Sequence, residues 1–65
     1  LPTPSANECA ALRATIARLN SDIPRLEASL ENLEGRALAG AKVRLQNARV
    51  ARSTALARAA ALQCP

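Results

Sequence analysis

The chain has 65 residues, half of them apolar (49%), with no Phe, Trp, Tyr, Met or His and a net charge of +4. A domain of this size buries only about 60% of its unfolded surface, so it needs a staple or a partner. The lack of histidine and the presence of only two cysteines exclude an ordinary zinc site, which draws four ligands from Cys and His.

Leu1-Pro2-Thr3-Pro4 reads as non-helical, because Pro4 disfavours helical geometry in Thr3. The chain does not begin with Met and shows no charged-then-apolar leader, so it reads as a mature exported form; a trimmed chain would look the same. Ser5-Ala6-Asn7-Glu8 matches a capping box, placing the start of helix 1 near Ala6.

Large apolar residues then fall at Cys9, Leu12, Ile16, Leu19, Ile23, Leu26, Leu30 and Leu33, spaced alternately three and four apart. A 3.5-residue period predicts left-handed packing against another helix. Pro24 interrupts the backbone bonding but not the heptad phase, which predicts a kink, not a break. Two separate helices, the second capped by Ser21, are the alternative. Helix 1 is thus expected over about 6–33, and Gly35 suits the left-handed position of a turn over about 34–36. Helix 2 is expected over about 37–63, with Gly40 explained by a close approach to helix 1.

Cys9 and Cys64 sit at the outer ends of this pattern and predict a disulfide, hence an oxidising compartment. Carrying that pairing inward sets Leu12 opposite Ala61, Ile16 opposite Ala57, Leu19 opposite Thr54, Ile23 opposite Val50, Leu26 opposite Asn47 and Leu30 opposite Val43. Large residues would pack into small ones. Glu31 would lie opposite Lys42, and Asp22 near Arg49 and Arg52. Asn47 is the weak point, since it would face Leu26 and need a polar partner. The expected fold is all-α: one domain over 1–65, an antiparallel two-helix hairpin closed by a terminal disulfide.

This register leaves a second heptad stripe on helix 2: Leu38, Ala41, Leu45, Ala48, Ala55, Ala59 and Leu62, with Leu56 beside it and Arg52 interrupting it. Leu38, Leu45, Arg52, Leu56 and Leu62 are therefore the expected partner-binding residues, offered to a protein partner or to a second copy. A competing register turns Leu38, Leu45 and Leu62 toward helix 1 instead, and a third reading leaves the stripe exposed without purpose.

Charge is lopsided: residues 1–35 carry three arginines against one Asp and four Glu, whereas residues 36–65 carry six cations and no acid. That asymmetry favours anionic surfaces, so a cationic membrane-active peptide, toxic or antimicrobial, is the alternative to an interaction module. The absence of aromatics argues against nucleic-acid recognition by stacking. No nucleophile–base pair, phosphate loop or buried carboxylate pair is evident, so no enzymatic activity, cofactor, metal or small-molecule substrate is expected.

Overall fold

The computed structural model describes residues 4–65. It is an antiparallel helical hairpin of about 50 × 16 × 14 Å, with α1 over Pro4–Ser29 and α2 over Gly35–Ala61. A disulfide joins Cys9 to Cys64, with Cα atoms 5.5 Å apart. The expected all-α, disulfide-closed hairpin is therefore what the chain forms.

α1 begins at Pro4, earlier than the capping box implied. Proline is tolerated there because a first-turn amide has no intrahelical partner to lose. Ser5 consequently lies inside the helix, and the Glu8 carboxylate is engaged by Arg58. The expectation for residues 1–3 lies outside the described residues. α1 runs unbroken through Pro24, as the preserved heptad phase implied, and Pro24 itself is exposed. Its last turn tightens into a 3-10 turn over Leu30–Asn32, closed by Leu33 N–H donating to the Leu30 carbonyl at 3.3 Å.

Leu33 and Glu34 are extended, and Gly35 opens α2 with φ +59. α2 thus starts before the expected Ala37, and the left-handed residue belongs to its entry and not to the exit of α1. Gly40 makes no close approach to α1: a Cβ there would meet only Arg44 Nη1 of its own helix, at 3.6 Å. The tightly buried small residue is its neighbour Ala41, at 1% exposure.

The α1 seam is inward as expected. Leu19 and Ile23 are buried, and Leu26 and Leu30 pack against them. The face of α2 that meets this seam is the other heptad stripe. Leu45 is buried against Leu19 and Ile23, joined by Ala48, and Ala41 and Ala55 are buried along the same line. The expected register is corrected here: Val43 and Val50 are 59% and 53% exposed, and Asn47 is exposed and needs no buried partner.

The reason lies at the end of α2. The helix stops at Ala61, Leu62 is its C-cap, and Gln63 adopts φ +56. Cys64 N–H then donates to the Ala59 carbonyl at 2.9 Å and Gln63 N–H to the Ala60 carbonyl at 3.0 Å, a Schellman closure. Cys64 has therefore left the helix, and its direction does not follow the helical period that the expected register assumed. Burial favours the observed roll as well, because inward Leu38, Leu45 and Leu62 remove more apolar surface from water than Gly40, Val43 and Val50 would.

Candidate interaction face

Helix-helix packing uses one side of each element, and it leaves the outer side of α2 uncovered, with the exposed valines Val43 and Val50 on it. Gly40, Val43, Asn47, Val50, Thr54, Ala57 and Ala61 repeat at alternating spacings of three and four. All are exposed except half-buried Gly40. α2 therefore carries two heptad seams on roughly opposite sides. One is covered by α1 and the other is open.

The expected partner-binding residues fall mostly on the covered side. Leu45 is buried in the hairpin core, and Leu38, Arg52 and Leu62 are half-buried at other levels of α2. Only Leu56 is exposed, at 50%, on the flank. A stripe that α1 already occupies does not offer Leu45 to a partner. Asn47 was the sequence signal that pointed to the observed arrangement: a lone amide opposite Leu26 fits poorly in a core, whereas on the open side it is solvated.

Charge borders the open seam. Arg58 grips the Glu8 carboxylate with two hydrogen bonds, Nε to Oε1 at 2.7 Å and Nη2 to Oε2 at 3.3 Å. This pairing lowers the Glu8 pKa and raises that of Arg58, in both cases chiefly through the hydrogen bond. Arg49 Nη2 reaches Glu27 Oε2 at 3.2 Å, and Arg52 Nη1 donates to Asn20 Oδ1 at 3.1 Å. Asp22 pairs with Arg25 on its own helix, not with Arg49 or Arg52 as expected, because the roll of α2 carries those arginines to Glu27 and Asn20. The expected Glu31–Lys42 pair is likewise not formed. Among the described residues, Arg36, Lys42 and Arg44 make no ion pair; Lys42 and Arg44 flank the exposed Val43 in sequence, and Arg36 precedes it by one heptad.

A shallow hollow of about 390 Å³ is lined by Asp22, Arg25, Leu26 and Ser29. Its polar groups are already engaged, Asp22 with Arg25 and Ser29 Oγ with the Leu26 carbonyl at 2.8 Å. Among the described residues no cluster of three or more His, Cys, Asp or Glu could hold a metal ion. No helix among them is long and apolar enough to cross a membrane. No protein-family model, curated protein or solved structure matches the chain.

Proposed function

We propose that this is an exported, non-catalytic interaction module whose working surface is the outer side of α2. The observation that carries the reading is the second heptad seam. Val43 and Val50 lie seven residues apart on the side of α2 away from α1, among small residues and with Asn47 and Thr54 interrupting them; apolar residues at that spacing pack against a helix, yet α1 lies on the other side. Exposed valines at heptad spacing, Val43 and Val50, are unfavourable in water and become favourable under a partner. The disulfide supports an oxidising compartment and holds α2 in a hairpin slender enough to leave that side clear.

A photo-crosslinking residue at position 50, compared with one at exposed Ala17 on α1, tests the reading in the fluid that surrounds the native protein. Capture from position 50 and not from position 17 is the expected result. Equal capture, or none at either, would contradict it.

The second reading, a membrane-active peptide, rests on the six cations and absent acids of residues 36–65. The largest side chains on the open seam are two valines, and interfacial helices commonly insert Trp, Phe or Leu. Leakage from anionic vesicles by the disulfide-intact protein at low micromolar concentration would put this reading first.

A further inference from the structure

The chemistry of the partner can be taken further, on the premise that the outer side of α2 is the working surface. We propose that the occupant of the Gly40–Val43–Asn47–Val50–Thr54–Ala57 seam is a helix of another protein, acidic at the positions bordering its own apolar stripe.

The shape of the seam selects a helix. Its residues are small or β-branched, which lets a second backbone come close, and two valines seven positions apart provide knobs for the holes of a facing helix. Asn47 stands alone as an amide among them, exposed and without a side-chain hydrogen bond among the described residues. A single polar residue in such a seam fixes register at some cost in stability, so a partner with one facing amide or carboxylate is preferred to a uniformly apolar one.

Charge selects an acidic helix. α2 has six cations and no acid, and only Arg49 and Arg58 are neutralised by α1 carboxylates. Arg44 borders the seam, its Nη1 reaching over Gly40, while Lys42 adjoins Val43 in sequence and Arg36 precedes it by one heptad; among the described residues none of the three forms an ion pair.

A second copy is a poor occupant on the same grounds. α2 against α2 brings like charges together. The outer side of α1, with Ala10, Ala14, Ser21 and Ala28, adds Arg18, while Glu31 and Glu34, which form no ion pair among the described residues, sit at the turn. Complementary potentials set partner choice and encounter rate, and like-charge juxtaposition suppresses wrong partners.

The test uses the intact disulfide-bonded hairpin and two synthetic helical peptides with the same Leu/Ala seam, one bordered by Glu and the other by Gln. Titration calorimetry should show the Glu peptide binding about tenfold or more tightly than the Gln peptide, with the gap closing as salt is raised. Val50→Asp should weaken the Glu peptide by about tenfold or more, because it places a carboxylate in the seam. Arg44→Glu should narrow the preference for the Glu peptide. It changes an exposed charge and leaves the hairpin core untouched.

Equal affinity for the two peptides, no binding of the Glu peptide at about millimolar concentration, or indifference to both substitutions would overturn the proposal. So would a hairpin that dimerises through Val50, or one that binds phosphatidylserine vesicles and releases them on Val50→Asp. If capture from position 50 persists while the Glu peptide fails, the face is an interface and the acidic helix is the wrong occupant.

Discussion

A methyl group added at Gly35 or at Gly40 should act in opposite directions. Gly35 holds φ +59 with open space around it, so Gly35→Ala costs about 1 kcal/mol through backbone strain alone. Gly40 lies inside α2 with only the flexible end of Arg44 nearby, so Gly40→Ala should stabilise by about 0.5–1 kcal/mol. Chemical denaturation of the two variants reads both signs. The two seams separate in the same way. Leu45→Ala removes a core side chain and should cost about 2–4 kcal/mol, whereas Val50→Ala, at an exposed position, should fall within about 0.5 kcal/mol of the parent. Equal effects would mean that both sides of α2 are buried in solution. At Glu8 the pairing lowers the folded pKa, so its stabilising contribution is present above the unfolded value and fades as pH falls through the folded one. A carboxyl NMR titration should show the Glu8 midpoint rising in Arg58→Ala. Glu8 is solvent-exposed, so the effect on stability is small.

The two helices were not equally legible. α1 has one large-residue heptad, and nothing else in it competes for the core, so its inward face and its passage through Pro24 follow from spacing alone. α2 is rich in alanine and carries two stripes with the same alternation of three and four. Period cannot choose between them; volume can, and volume favours Leu45 over Val50. The disulfide does not report the roll of α2, because Gln63 in the left-handed region takes Cys64 off the helical period and no glycine marks the place. Burial is also uneven along the hairpin. The cluster of Leu19, Ile23, Leu26, Leu30 and Leu45 lies toward the turn, while toward the disulfide α2 offers mainly Ala55, Ala59 and Leu62. The disulfide-side half should therefore open first on reduction. Amide exchange in the reduced protein should be faster over residues 52–61 than over 41–48. Uniform exchange would show that the two halves unfold together.

As a whole molecule the hairpin is 50 Å long and 14–16 Å across, too thin to hold both sides of α2. Its slender core makes the Cys9–Cys64 bond important, since linking residues 55 positions apart contributes about 4 kcal/mol in the chain-entropy account. That is comparable to the stability a core of this size supplies, so reduction should lower the melting temperature steeply or unfold the chain. The division of α2 into a covered side and an open side underlies everything proposed for its function. Methyl–methyl nuclear Overhauser contacts in the oxidised protein test it most directly. Leu45 should show contacts to Leu19 and Ile23, and Val43 and Val50 should show none to any α1 methyl group. Contacts from Val50 to Ile23, with Leu45 silent toward α1, would contradict the account.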